Sequence, residues 1–304
     1  MPQESSKQPP SSRAWFVTGC STGIGRALCE SLLERGERVV CTARDPSTLA
    51  ALAERFPTQA IVLALDVTDA AAVKATVAQA IARTGGIDVL VNNAGYGLVG
   101  ALEEVGEDAV KDAFDANVYG PYRLIRAVLP HMRERGRGHI LNVSSMTGIV
   151  GAPGFCFYSA TKFALEGLSE ALAGEVAPFG IKVTLIEPGP FRTAFRGRSM
   201  VSAPALPAYA DTSGRLRKML ADTDGQQPGD PVRAADAMIA VVDAAEPPMR
   251  LPLGELCVAQ IRRKQAQVGE ELERWLKVSL STSYETPVST AVGPEVRELK
   301  ALKT

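Results

Sequence analysis

Histidine is scarce in this chain. Only His131 and His139 occur among 304 residues, too few for a typical histidine-rich metal site. Both are expected at the surface or at helix ends, and no metal is expected. A surplus of charge of either sign is also missing, with 33 Lys and Arg against 34 Asp and Glu and a formal net charge of −1. That balance gives no electrostatic footprint for nucleic acid or an anionic membrane, so neither is an expected partner. Cysteines at CxxC spacing are absent: Cys20, Cys29, Cys41, Cys156 and Cys257 are odd in number and dispersed. Such a set reads as free thiols in a reducing cytoplasm, not as a disulfide framework. Long hydrophobic runs are lacking as well, since 61–65 (IVLAL) and 238–242 (MIAVV) are far too short to span a bilayer. Residues 1–13 (MPQESSKQPPSSR) are polar and proline-rich, carry no apolar signal segment, and are expected to be a disordered tail.

What is present fits a globular protein able to bury a substantial core, with 46% apolar and 22% charged residues. Short runs rich in Val, Ile and Leu occupy 14–18, 38–43, 60–65, 87–92, 138–144 and 181–187. They do not alternate with polar residues, as expected of parallel strands buried on both faces. Helical periodicity fills 23–35, 46–55, 69–84, 107–134 and 154–178 between them, with Gly36, Gly85-Gly86 and Gly180 closing several segments. This alternation predicts an α/β fold, a Rossmann doubly wound parallel sheet of about seven strands with helices on both faces. One domain is expected over 14–304. Within it, 194–230 is rich in proline and loop-like, with a helix near 211–221. A helix at 231–245, a short strand near 250–253 and a helix at 255–276 come next, and 277–304 is a weakly patterned C-terminal extension.

The first run leads directly into Thr18-Gly19-Cys20-Ser21-Thr22-Gly23-Ile24-Gly25 and a helix. Glycines there allow a tight turn and close backbone approach to a pyrophosphate, while the helix N-terminus offers N–H groups to phosphate. The T-G-x-x-x-G-x-G spacing differs from the common G-x-G-x-x-G and resembles the short-chain dehydrogenase/reductase family. Two further segments match the family in order. Asp66, followed by Val67, ends the third run, where the family places an adenine-contacting acid; a turn aspartate is the equal alternative. Asn92-Asn93-Ala94-Gly95 ends the fourth, where asparagines brace the sheet and small residues let the cofactor lie close.

Dinucleotide sites specific for NAD place an acid at the end of the second strand to bond the ribose 2′-hydroxyl. Here Ala43 stands at that position and Arg44 follows, a base suited to a 2′-phosphate. The missing acid and the present base together favour NADP(H). Asp45, one residue further on, points the other way.

Tyr158 and Lys162 lie four apart in Tyr158-Ser159-Ala160-Thr161-Lys162, on one face of a predicted helix. A free tyrosine, with a pKa of about 10, is a poor base near neutrality, and a neighbouring ammonium brings the phenol towards the working range. The resemblance makes Tyr158 the acid/base. It gives Lys162 a second contact, to the nicotinamide ribose, and makes Ser145 of Asn142-Val143-Ser144-Ser145 the substrate-orienting hydroxyl. A hydrolytic role for Ser145 is disfavoured, because no histidine stands in a base position and there is no G-x-S-x-G elbow. Pro188-Gly189-Pro190-Phe191-Arg192-Thr193 matches the family's P-G-x-x-x-T segment, which implies nicotinamide contacts from Pro188, Gly189, Thr193 and the peptide around Ile186. The match spans about residues 14–193.

Asn117 and Pro121 sit inside the segment read as one helix over 107–134. Pro121 has no N–H for the carbonyl four residues back, that of Asn117. The family's catalytic asparagine matches Asn117, which implies a kinked helix and a water-mediated proton relay to Lys162 and Tyr158. The implied reaction is hydride exchange between NADP(H) and a small-molecule carbonyl or alcohol, without a metal. The expected assembly is a homodimer or homotetramer. The turn and Arg44 look most like 17β-hydroxysteroid dehydrogenase-like or carbonyl reductase-like members, so the substrate is expected to be apolar, with 194–230 as a mobile covering lid. A cofactor-bound sensor or scaffold, and an epimerase or dehydratase on the related extended fold, are the alternatives. The first would be expected to lose the Tyr or Lys, and the second suits neither the short chain nor this turn.

Overall fold

The computed structural model describes residues 12–283. These fall into two compact units, one ending at Val258 and one starting at Ala259, where the sequence reading has a single domain to 304. The first unit begins with β1 (Ala14–Val17), α1 (Gly23–Glu34), β2 (Arg38–Ala43), α2 (Ala50–Arg55) and β3 (Ala60–Ala64). Next come α3 (Ala70–Thr84), β4 (Val89–Asn92), β5 (Gly97–Val99), α4 (Glu107–Phe114) and α5 (Gly120–Arg135). β6 (Gly138–Val143), α6 (Cys156–Val176) and β7 (Ile181–Pro188) follow. The remainder holds α7 (Phe195–Arg198), β8 (Met200–Ser202), α8 (Arg215–Asp222), α9 (Pro231–Asp243), β9 (Arg250–Leu253) and α10 (Glu255–Ser281). From Ala259 onward α10 belongs to the second unit, where Val268, Leu272, Trp275 and Val278 are exposed. Among the described residues no helix is long and apolar enough to cross a membrane.

Seven strands pair in parallel in the order β3-β2-β1-β4-β6-β7-β9. This is the predicted doubly wound sheet, and its order reverses between β1 and β4, which opens a crevice at the carboxyl ends there. Alternate strand residues serve opposite faces. Trp15, Val17, Val39, Cys41, Val89, Val91 and Leu141 form one core with Leu28 and Leu32 of α1 and Met238 and Ile239 of α9. Phe16, Val40, Leu90, Ile140 and Val183 form the other with α3, α5 and α6. Both faces being buried, the strands read in the sequence as unbroken apolar runs. Helix starts follow local chemistry: the Asp69 carboxylate accepts from the N–H groups of Ala71 and Ala72, and Asp230 accepts from that of Val232 just after Pro231.

Several expectations are corrected. Residues 1–11 of the tail lie outside the described residues, but Arg13 is anchored, its guanidinium paired with Glu37 and Asp243. The single helix over 107–134 is instead α4, a π turn at Asp115–Tyr119, and α5. Gly120 N–H donates five residues back to the Asp115 carbonyl, and the extra residue absorbs the register change before Pro121. Residues 97–99 and 200–202, not read as strands, pair in parallel. His139 is not a surface residue: it is buried on β6 with its ring nitrogen 3.0 Å from the Thr184 hydroxyl, and burial lowers its pKa to about 4. Of the predicted C-terminal extension, 284–304 lies outside the described residues, and 277–281 belongs to α10.

Candidate active site

The crevice contains a cleft of about 820 Å³. Every predicted site residue lines it except Gly25, Asn117 and Ile186. The glycine turn forms one end. Gly19 and Gly23 have φ of +69° and +65°, a region that side chains with a Cβ disfavour. A Cβ on Gly25 would lie 2.3 Å from Asn93 Nδ2 and 2.6 Å from the Gly19 carbonyl, so Gly25 acts by packing rather than by lining the cleft. The turn is tied to the end of β4: Asn93 Nδ2 donates to the Thr18 and Gly19 carbonyls, and the Thr18 hydroxyl accepts from the N–H groups of Asn93 and Ala94. One layer deeper, Asn92 Nδ2 donates to Asn142 Oδ1 and Asn142 Nδ2 to the Ser169 hydroxyl, joining β4, β6 and α6.

Beneath the turn, parallel pairing gathers three cysteines that the sequence disperses. The sulfurs of Cys20, Cys29 and Cys41 lie within 4.8 Å of one another, fully buried among apolar residues. The Cys20 thiol donates to the Val17 carbonyl at 3.1 Å, and the three pack as small core residues.

Arg44 faces the cleft from the end of β2, and Asp45 does not. The Asp45 carboxylate caps the following turn by accepting from the Ser47 N–H at 3.0 Å and hydroxyl at 2.7 Å. Asp66 takes the turn role, accepting from the Thr68 N–H and hydroxyl, and it also lines the cleft. Val67 packs on Gly120, where a Cβ would meet its methyl at 2.8 Å.

At the other end α6 carries Tyr158 and Lys162 on one face, both buried. Lys162 Nζ donates to the Val143 carbonyl at 2.9 Å and stands 5.8 Å from the centre of the Tyr158 ring. Burial pushes the phenol up to about 12, with the Ser145 hydroxyl pulling the other way, and draws the Lys162 ammonium down to about 8, opposed by Glu166. The expected lowering of the phenol by Lys162 is not seen: desolvation raises it, and the Lys162 ammonium is held by the Val143 carbonyl. Ser145 Oγ accepts from Thr147 N–H and its hydroxyl at 3.1 and 3.0 Å, which leaves its own hydrogen available. Asn117 is buried in the π turn. Its amide accepts from the Tyr96 N–H and donates to the Tyr96 carbonyl and the Thr161 hydroxyl, clamping the Gly95-Tyr96 segment between β4 and β5 to α6 beside Lys162. That side-chain role was missed by a sequence reading centred on the Asn117 carbonyl.

Residues 194–230 cross the open side. Thr193 lies over Gly23, and its hydroxyl accepts from the Phe195 N–H that starts α7. Phe195 stacks obliquely on Tyr158, which also meets Phe155, at ring separations of 6.0 and 5.5 Å. Met200, Val201 and Met219 of this segment line the cleft; Leu206 and Tyr209 do not. Glu104, buried and not flagged by any motif, anchors the segment. It accepts from Leu206 N–H, the Ser213 hydroxyl and both Arg217 Nη atoms. The Arg217 hydrogen bonds, against burial, hold its carboxyl down at about 2.

Comparison with known proteins agrees with this geometry. Residues 13–201 match the family model described as short chain dehydrogenase. A solved short-chain dehydrogenase from Streptomyces avermitilis superimposes with a TM-score of 0.85 at 45% identity, covering 90% of this chain and 100% of its own. A 3-ketodihydrosphingosine reductase from Bacteroides thetaiotaomicron is 39% identical over 79% of this chain and 87% of its own length. Human 17-beta-hydroxysteroid dehydrogenase type 1 is 38% identical over 77% and 75%. With the family model matched over more than half of its length and relatives of this identity and coverage, the chain is a member of the short-chain dehydrogenase/reductase family of oxidoreductases.

Proposed function

We propose that this protein is an NADP(H)-dependent oxidoreductase that interconverts an apolar ketone or aldehyde and its alcohol, with Tyr158 as the acid/base. The observation that carries the reading is the convergence of Tyr158, Ser145 and Lys162 on the same cleft as the glycine turn and Arg44. The residues present fit a nicotinamide dinucleotide. The turn and the α1 N-terminus would offer backbone N–H groups to a pyrophosphate, Asp66 and Val67 would take the adenine end, and Gly95, Pro188, Gly189 and Thr193 the nicotinamide end, all of them lining the cleft. Arg44 lines the cleft and would hold a 2′-phosphate there, while the Asp45 side chain is turned to the Ser47 N–H and hydroxyl outside the cleft lining.

When bound, the cofactor supplies or accepts the hydride. The rest is done by the chain itself. Ser145 donates to the substrate oxygen and holds it beside Tyr158 Oη as negative charge builds there. The Tyr158 phenol, neutral at about 12, transfers its proton to that oxygen in reduction and recovers it in oxidation. Lys162, charged below about 8, stabilises the phenolate left behind. Asn117 fixes the Gly95-Tyr96 segment beside Lys162. Residues 194–230 act as the lid: Phe195, Met200, Val201 and Met219 offer an apolar surface to the substrate. The names of the sphingoid and steroid relatives agree with a bulky apolar substrate.

The test is a titration by cofactor fluorescence, with turnover assayed on apolar ketones, aldehydes and 3-oxoacyl compounds. NADPH should bind tighter than NADH. Arg44→Ala should weaken NADPH alone by about 1.5–3 kcal/mol, the cost of a charged hydrogen bond. Equal affinities in the unmutated protein would overturn the cofactor assignment.

A further inference from the structure

The three thiols gathered beneath the glycine turn take no part in the proposed reaction. Cys20 belongs to the turn itself, Cys29 to α1 and Cys41 to β2. All three are 0% exposed, and their sulfurs lie within 4.8 Å of one another. Among the described residues no other set of three or more histidine, cysteine or carboxylate side chains is close enough to hold one ion. The surroundings are apolar, with Val17, Leu28, Val39 and Val91 in the same core. Arg26, whose charge reaches Cys41, is already paired with Glu30 at 2.7 Å. The trio also joins the parts that face the cleft. Cys20 stands between Gly19 and Ser21, Cys41 lies two residues before Ala43, and the Cys20 N–H donates to the Thr42 carbonyl at 3.0 Å.

Charge selects what such a site can hold. Three thiolates around zinc carry a net charge of −1, and zinc also wants a fourth ligand, which no histidine or carboxylate supplies here. Around monovalent copper the net charge is −2. Either is costly in an apolar interior without a free cation. Around a trivalent metalloid the three thiolates give a neutral centre, which the core tolerates. Three sulfurs bonded to one atom at about 2.3 Å, as in zinc thiolates, lie no more than about 4 Å apart, so the trio has to contract by roughly 1 Å at its widest. We propose that Cys20, Cys29 and Cys41 form a binding site for a trivalent thiophilic metalloid of the arsenite class, whose occupation draws the glycine turn and β2 together and weakens cofactor binding. Each thiol replaces one hydroxyl of As(OH)3. Three S–H and three As–O bonds break, three As–S bonds form, and the hydroxyls leave as three waters. Arsenic stays trivalent and no electron is transferred. Entry is by local opening of the turn and the start of α1, so loading is slow.

Binding at the trio is independent of the reaction assigned above; only its effect on NADPH rests on the reading of the turn as the pyrophosphate site. The full-length protein, kept reduced with a phosphine, is incubated with sodium arsenite and weighed by native mass spectrometry. One arsenic less three hydrogens should be gained. A gain heavier by one water means attachment through two thiols with a hydroxyl retained, and no gain means no site; either overturns the proposal. Arsenic X-ray absorption on the same sample should show three sulfur neighbours and no oxygen, a readout that needs no variant. Cys29→Ser should abolish the gain, and Cys156→Ala, which removes the exposed thiol, should leave it intact. The opposite pattern would place arsenic at Cys156 and refute the trio. Zinc at the same concentration should leave the mass unchanged, and zinc bound in place of arsenic would contradict the charge argument. In fluorescence titrations the loaded protein should bind NADPH about tenfold more weakly, and saturating NADPH should weaken arsenite by the same factor, since coupling between two sites is reciprocal. Unchanged NADPH affinity in the three-sulfur complex would overturn the link to the turn.

Discussion

The two walls of the cleft are built by different means. The cofactor wall is made of strand ends and the turns that leave them, cross-tied by Thr18, Asn93 and the Asn92–Asn142 pair. Its register is set by the sheet, and its substitutions meet backbone: a Cβ at Gly19 would lie 2.9 Å from the Ala94 Cα. The substrate wall is a crossing segment held by a three-residue strand pairing and by one buried acid, Glu104. A wall set by a seven-stranded sheet holds its shape without ligand. The crossing segment is tied by scattered single contacts rather than by a sheet, the Glu104 bonds and those of Arg196 to Leu220 and Thr223 among them.

The comparison is put at greatest risk at Tyr158, where both walls meet the chemistry. Tyr158→Phe should reduce turnover by about 10²–10⁴-fold, the usual weight of acid/base catalysis, and leave NADPH affinity unchanged, because only the proton is lost. Steady-state rates with cofactor titration check this, and substantial retained activity would remove Tyr158 from its role.

A smaller effect, confined to the substrate wall, is expected of Glu104→Gln. KM for an apolar substrate should rise several-fold while NADPH affinity stays the same, and protease nicking within 194–230 should quicken. The acid's pKa is depressed from 4.5 to about 2, so its anchoring is present above 4.5 and lost as pH falls towards 2. Limited proteolysis across that range should show the segment released in acid before the rest of the protein. Equal weakening of cofactor binding would erase the distinction between the walls.

The same contrast explains what could be read in advance. The cofactor wall was legible because its determinants are contiguous: the glycine turn, Asn92-Asn93-Ala94-Gly95 and Pro188 to Thr193 each sit at the end of an apolar run. The substrate wall was not, because Glu104 and Arg217 are 113 residues apart and neither stands in a motif. Between the extremes lies the π turn. Asn117 and Pro121 signalled an interruption, but helical periodicity does not count one inserted residue, so 107–134 read as a single helix. Ionisation was the least legible property: the Tyr158–Lys162 spacing was right, yet the depth of burial that raises the phenol is a tertiary fact. Depth likewise decided His139 and gathered Cys20, Cys29 and Cys41, which no local pattern linked.

The central claim, hydride exchange under Tyr158 control, is tested most directly by isotope transfer. NADPH carrying deuterium at nicotinamide C4 is supplied with an apolar ketone, and the alcohol formed is analysed by mass spectrometry and NMR. Deuterium on the carbinol carbon in the unmutated protein, with its formation suppressed in Tyr158→Phe, is the predicted result. Alcohol formed without deuterium on the carbinol carbon, or deuterium transfer at an undiminished rate in Tyr158→Phe, would contradict it.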